Sequence, residues 1–531
     1  MKHLNFKVLI VGVLLLNGCG GGNTSSTATE IAPEPDLSHP VNISGKITYD
    51  LVPVNSNHIG LDYSNIRKEV AKLVTVEAID STNQVLDSTV SDINGNYTVE
   101  VALNSQVKIR VYAKMFRSGN PGWNVRVEDN TNSNALYVME GVLALVSEDS
   151  STRNLNASSG WDGTSYTSER VAAPFAMLDS VYQSIAKVLT AESNAVFEPL
   201  KVNWSIHNKS FDGDPANGDI GTSYYFENNL FILGDANADT DEYDDHVIAH
   251  EWAHYYEDTF SRSDSVGGAH SDGDRLDIRV AFGEGWGNAF SAMALNDPLY
   301  FDTFGVRQSD GFSFNVETEV KKNPGWYSEG SIQRILYDLY DNSNDGDDLL
   351  SLGFAPLHQV FTGAQKNTPA FTSIFTFTHA LKAENPTEVT AIERIVSGEN
   401  IAVINDIYGN GRTNLSNETP LYIDLTIGTE MTFCPSYTYG SYNMLGNRKY
   451  IRFNVDTTDN YTITVEKSTN SGTTDPDFYL HNISDHTIFY AGEDAEDDKE
   501  EKSLSLPRAS YLLDVYDYEA VSNACFSISV N

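Results

Sequence analysis

The sequence predicts a multidomain protein, with an α+β domain in the middle of the chain flanked by two β-sandwich domains. Three observations predict it. At 531 residues the chain is too long for a single core, and with 40% hydrophobic residues it can fill several. Apolar and polar residues alternate with period two over 41–117 and again from 429 to the end, the pattern of half-buried strands. Between these regions the apolar spacing turns helical, over 172–189, 290–295 and 331–340.

Lys2, His3 and Lys7 precede the apolar run 8–16, which is too short to span a bilayer permanently and has the form of an export signal. The following Leu16-Asn17-Gly18-Cys19 resembles a bacterial lipobox. That resemblance implies a signal peptide over 1–18 and a lipid on Cys19, with Gly20 in place of aspartate releasing the protein from the inner membrane. The expected location is the bacterial cell envelope, lipid-anchored at the outer membrane or cell surface. The other reading, a plain cleaved signal, makes the protein secreted. Residues 19–40 are rich in Gly, Ser, Thr and Pro and read as a flexible tether.

Residues 41–118 hold strand patterns at 43–49, 74–78 and 97–101, with a tight turn over Asp92-Ile93-Asn94-Gly95-Asn96. In layout this segment resembles the small carboxypeptidase-regulatory β-sandwich, and it offers no chemistry.

The chemistry lies in 119–425. His250-Glu251-Trp252-Ala253-His254 follows a lead-in of acidic and then apolar residues that suits a buried helix. Histidines four apart share a helix face, so both imidazoles reach one ion. Glu284, inside Phe282-Gly283-Glu284-Gly285-Trp286-Gly287-Asn288, is the natural third ligand of a catalytic zinc site that keeps one position for water. Glu251, beside the ligand stripe, is placed to take a proton from that water. The bland alternative is a core helix with two hydrogen-bonded histidines. His246, one turn earlier, reads as a surface or supporting histidine, because Val247 follows it where a base would be needed.

These motifs resemble the gluzincin metallopeptidases, and among them the fungalysin and thermolysin families, over about 241–340. The resemblance implies a gluzincin-type α+β fold, Zn2+ as cofactor, and peptide-bond hydrolysis of a protein or peptide substrate. It also assigns roles. Asn288 stands where an aspartate usually steadies the first histidine, and an amide oxygen still accepts from imidazole N–H but lacks the charge. Tyr327 stands near the position of the oxyanion-stabilising histidine, with Tyr337 and His358 as substitutes. Ser223, Tyr224 and Tyr225 correspond to the edge strand that pairs with substrate backbone. Two acidic clusters, one with Asp235, Asp239, Asp241, Glu242, Asp244 and Asp245 and one over 341–348, resemble the Ca2+ sites that thermolysin relatives use. Solvated loop or helix-start charge is the competing reading.

Residues 426–531 alternate again, at 450–455, 461–465, 478–480 and 511–516. Asp475-Pro476-Asp477-Phe478-Tyr479-Leu480 resembles the bacterial pre-peptidase C-terminal domain, which implies either substrate anchoring or a stabilising or processing module. Cys434 and Cys525 both lie here, and in an oxidising compartment one disulfide is expected; two buried thiols are the alternative.

Acidic residues number 74 against 34 basic, a net charge of −40, which repels nucleic acid and anionic membrane surfaces. Contact with a membrane is expected only through the N-terminal lipid. A reading from another class remains, a surface lipoprotein that binds a polymer or protein partner with zinc only structural. Glu251 weighs against it, since a closed four-ligand site has no use for an unligated carboxylate.

Overall fold

The computed structural model describes residues 34–147, 150–342, 350–411, 414–415, 417–440, 442–468, 474–484, 486–493, 498–518 and 524–531. The expected signal peptide, Cys19, most of the tether and residues 343–348 of the second acidic cluster lie outside them.

Strand formation in the first part follows the alternation of side chains. Along Gln106–Arg117, Val107, Ile109, Val111, Ala113 and Met115 are fully buried while the residues between them are half-buried. The turn before Asn96–Leu103 is shaped by Asp92, whose carboxylate accepts from the backbone N–H of Asn94 and Asn96, with Gly95 at φ 77°. Asn96–Leu103 pairs antiparallel with the long strand Asp36–Leu51, which also takes Ser150–Thr152 and Leu155–Ala157 as parallel neighbours.

One sheet runs through the boundary expected at 118. Its order is Tyr224–Phe226, Asn229–Ile232, Leu200–Trp204, Trp123–Asp129, Gln106–Arg117, Val74–Ile79 and Val85–Val90. Trp123–Asp129 is the joint, antiparallel to Gln106–Arg117 and parallel to Leu200–Trp204. One sheet thus crosses the boundary expected at 118 for the sandwich over 41–118. Its strands share a sheet with the central region, and one apolar core holds Val41, Val111, Trp252 and Phe375 together. Sharing the sheet also removes two edges that would otherwise expose unpaired backbone.

Four helices build the centre: α1 (Ala173–Ala191), α2 (Asp245–Phe260), α3 (Ile278–Leu295) and α4 (Glu329–Tyr340). Each start has a local reason: proline in the first turn of α1, Asp245 in the first turn of α2, Asp277 accepting from the Arg279 N–H at α3, and Ser328 accepting from the Ser331 N–H at α4. α2 packs between α1 and α3, and α3 also carries α4 on its surface. Such crowding needs glycine. A Cβ on Gly285 would lie 2.5 Å from Ile332 Cβ, and one on Gly287 would lie 2.6 Å from His250 Cε1. Trp252 stacks on Phe290 across the α2–α3 seam, with ring centres 5.3 Å apart.

The C-terminal sandwich has a five-stranded sheet (Tyr422–Asp424, Lys449–Val455, Ala509–Asp517, Pro476–Asn482, Ile488–Gly492) and a four-stranded sheet (Glu430–Phe433, Phe526–Val530, Asp459–Lys467, Lys499–Leu506) around a core of its own. Cys434 and Cys525 are joined as a disulfide beside the paired Phe433 and Phe526. The sandwich grips the N-terminus of α3 through buried charges. Asp514 accepts from Arg279 at 2.9 Å and from Arg448 at 2.6 Å, and Tyr450 donates to Asp277 at 2.6 Å. No helix among the described residues is long and apolar enough to cross a membrane.

Candidate metal centre

α2 carries His250 and His254 one turn apart, and α3 brings Glu284 against them. His250 Nε2 lies 3.1 Å from His254 Nε2 and 3.1 Å from Glu284 Oε2, while His254 Nε2 is 3.5 Å from the same oxygen. Asn288, one turn beyond Glu284, fixes the first ring. Its Oδ1 is 2.9 Å from His250 Nδ1, and its amide N–H donates to Gln333 Oε1 on α4 at 2.9 Å. With the oxygen of Asn288 facing the ring, Nδ1 bears the proton and Nε2 keeps a lone pair. Lone pairs from two imidazoles and a carboxylate converge on one point, an arrangement that fits a cation of borderline softness. Burial would raise the Glu284 carboxyl, but the surrounding histidines outweigh it and hold the group well below its ordinary value.

Glu251 follows the first ligand on α2. Burial pushes its carboxyl up to about 7, against the pull of His250 and with the push of Glu284. The backbone N–H of Tyr225 also acts on this carboxylate, so the strand Tyr224–Phe226 lies beside the centre. That strand pairs only with Asn229–Ile232 among the described residues, which leaves its other edge available. Ser223, just before it, is bonded to Asp241; the Tyr225 hydroxyl donates to Asp258 at 2.6 Å; Tyr224 stacks on Phe231.

The residue that sequence reasoning missed is His270, in the loop between α2 and α3. Its Nε2 is 3.2 Å from Glu284 Oε2, and its Nδ1 is 2.7 Å from Glu329 Oε2. Burial would lower its pKa, yet the two carboxylates outweigh that and push it up to about 11. A histidine in a polar loop joining the two ligand-bearing helices is the one signal that could have found it.

Tyr327 is not brought to the centre. Ser328 caps α4, so the first helical turn delivers Glu329 toward the cluster, while the Tyr327 ring packs on Trp326 and beneath Arg275 and its hydroxyl donates to the Pro324 carbonyl at 3.4 Å. The two substitutes are engaged elsewhere as well. His358 is taken by the Tyr256 hydroxyl at 2.7 Å and by Glu192 at 3.2 Å, and Tyr337 packs against Tyr340. His246 is not a surface residue: it is fully buried against Tyr300 and Phe301 with Nδ1 3.1 Å from Ser291 Oγ, and burial lowers its pKa to about 3.

In a mixed α/β fold, two histidines and a glutamate converging beside a further carboxylate make a centre of the kind metallopeptidases use. The mycolysin C-terminal domain family model matches residues 185–397, a span that contains every residue of this centre and points to a metalloprotease generally. No curated protein sequence matches the chain. Among solved structures, the precursor of protealysin, a metalloproteinase from Serratia proteamaculans, aligns with 54% of this chain and 89% of its own at 7% identity and a TM-score of 0.31. The pre-peptidase C-terminal domain of a Bacillus anthracis collagenase aligns with 21% of this chain and 94% of its own at 21% identity and a TM-score of 0.17.

Proposed function

We propose that this chain is a zinc metalloendopeptidase of gluzincin type that hydrolyses peptide bonds of extracytoplasmic proteins or peptides. The observation that carries the reading is the convergence of His250 Nε2, His254 Nε2 and Glu284 Oε2 with Glu251 beside them. Zinc would be held by His250, His254 and Glu284 and would supply Lewis acidity there. The chain's own groups do the rest. The edge strand with Ser223, Tyr224 and Tyr225 lines up an extended peptide by main-chain pairing, as sheet edges do. Glu251, with a carboxyl raised toward neutrality, takes the proton of the attacking water and returns it to the departing amine. His270, held at Nδ1 by Glu329, donates from Nε2 to the oxyanion that develops on the carbonyl, the task first given to Tyr327.

Export completes the proposal: residues 1–18 direct the chain out, Cys19 anchors it by lipid to the cell envelope, and the net charge of −40 disfavours nucleic acid as a partner. The C-terminal sandwich is in this reading a pre-peptidase-type module. The test is incubation of the zinc-loaded protein with a diverse peptide mixture and mass-spectrometric mapping of cuts, with Glu251→Gln run beside the parent. Cuts by the parent that vanish in Glu251→Gln support the reading. Equal cutting by both, or none by the zinc-loaded parent, overturns it.

A further inference from the structure

The loop that joins α2 to α3 and carries His270 has little order of its own. Gly267, Gly268 and Gly273 all take positive φ, and among the described residues its strand-like contact is a single bridge, Leu276 to Met444. A donor on so loose a backbone meets a reacting atom reliably only if other elements hold the chain on both sides of it. After His270 the hold comes from the segment leading to α4: Asn323 donates to the Gly273 carbonyl at 2.7 Å, Arg275 donates to Asn323 at 3.1 Å, and the Leu276 N–H donates to the Tyr327 carbonyl at 2.9 Å. Before His270 it comes from the C-terminal part of the chain. The side-chain amide of Asn443, just ahead of the sandwich strand Lys449–Val455, donates to the Ala269 carbonyl at 2.8 Å. Among the described residues no other element hydrogen-bonds the backbone of 266–269. Asn443 is 2% exposed, and its own backbone carbonyl accepts from the Asp277 N–H at 2.9 Å, so one residue binds the loop just before His270 and again at the cap of α3. The fit is close. A Cβ on Gly268 would lie 2.7 Å from Asn443 Nδ2 and 3.0 Å from the Tyr442 hydroxyl, and Gly268 stands at φ 99°. The Tyr442 carbonyl is in turn held by Arg448 at 2.9 Å, and Arg448 by Asp514.

We propose that Asn443 is a positioning residue for the histidine centre: through its hydrogen bond to Ala269, the segment entering the C-terminal sandwich sets where His270 stands beside Glu284. The inference rests on the reading of His270 as the donor to the oxyanion. Its physical basis is the count of donors on the ring. Nδ1 is engaged by Glu329 at 2.7 Å and Nε2 by Glu284 at 3.2 Å, and Nε2 has one hydrogen to give. When that hydrogen turns to the oxyanion, the contact with Glu284 is given up, and the ring is left with Glu329 and its own backbone. The His270 side chain is 30% exposed, so packing alone does not fix it. At that moment the clamp one residue earlier, at the Ala269 carbonyl, decides where Nε2 points. A displacement of about 1 Å at such a donor costs on the order of 10²-fold in rate. The loss should fall on kcat and spare KM, because the donor acts on charge that exists only in the transition state.

The test compares the zinc-loaded protein with Asn443→Ala, Gly268→Ala, His270→Ala and the double variant Asn443→Ala/His270→Ala. Zinc per chain is measured for each, and hydrogen exchange is followed by mass spectrometry over the loop 261–277 and over α2. Asn443→Ala should keep its zinc and exchange faster in the loop around His270, with α2 unchanged. On a single peptide it should lower kcat per bound zinc by ~10–100-fold at nearly constant KM. Gly268→Ala crowds the same contact from the loop side with Asn443 intact, and should do likewise. The double variant should be no slower than His270→Ala, because two residues that act through one group do not add. Unchanged exchange in the loop of Asn443→Ala, a fall in activity matched by a fall in zinc, or a double variant slower than His270→Ala by the full Asn443→Ala factor would each overturn the proposal. Exchange is read without turnover, so a parent that cuts nothing would count against the peptidase reading, while the response of the loop to Asn443→Ala still decides the clamp.

Discussion

Among the described residues, two gatherings of metal-competent side chains lie on α2, α3 and their approaches, yet they offer different atoms. The centre on α2 and α3 presents two imidazole nitrogens and one carboxylate oxygen, and a neighbouring amide fixes a ring of it. The other, made of Asp239 and Asp241 before α2 and Asp302 after α3, presents carboxylate oxygens only. Geometry brings both together equally well, so what separates them is donor chemistry and company. Nitrogen donors suit a softer ion, and among the described residues only that centre has a further glutamate, Glu251, and a third histidine, His270, beside it. On the proposed reading, what would make one centre reactive is the company of its neighbours and not convergence as such.

The largest effect expected is the loss of the nitrogen centre itself. His254→Ala should reduce zinc per chain to background and abolish cleavage; elemental analysis checks this, and retained zinc would break the distinction. Next is Glu251→Gln, which keeps shape and zinc but cannot accept a proton. Cleavage per bound zinc should fall by ~10²–10⁴, read from initial rates on a single peptide. Third, His270→Ala should cost ~10²–10³ in the same assay, the size of one oxyanion donor, while Tyr327→Phe stays near the parent value. The reverse order would restore Tyr327 to the mechanism. Smallest is Asn288→Ala, which frees His250 Nδ1 and should weaken zinc affinity by ~10–100-fold, as measured by competition with a chromogenic chelator. An unchanged affinity would show that the ring needs no such support.

What was legible in the sequence was what is local. The spacing of His250 and His254 reads directly, because a helix face is a property of adjacent turns. The turn at Asp92–Asn96 was legible for the same reason, since its hydrogen bonds stay within the turn. Distant partners were not legible. His270 lies in a loop without periodicity, and only the packing of α3 and α4 brings it between Glu284 and Glu329. Asp302 is an ordinary alternating strand residue until its sheet neighbours are known. The shared sheet was hidden because Gln106–Arg117 alternates identically whether its next neighbour belongs to the same domain or to another. Tyr327 lies away from the centre because Ser328 caps α4 and the helix opens at Glu329, and the motif alone does not set that cap.

The buried charges where the C-terminal sandwich meets α3 bear on how the protein can be cut. Asp277, the cap of α3, is bonded by Arg279 and Tyr450; Arg279 in turn reaches Asp514, which Arg448 also holds. Burial alone would raise the Asp277 carboxyl, and these arginines are what keep it ionised. Proteolysis near residue 425 would carry off Asp514, Arg448 and Tyr450 together, stranding Arg279 without its outer counter-ion. Arg279 would keep Asp277 as its partner, but the start of α3 would lose its cover and meet water. The helix so weakened is the one that carries Glu284. Shedding the sandwich is therefore expected to loosen α3 and lower zinc retention, which metal content before and after a cut near residue 425 would show.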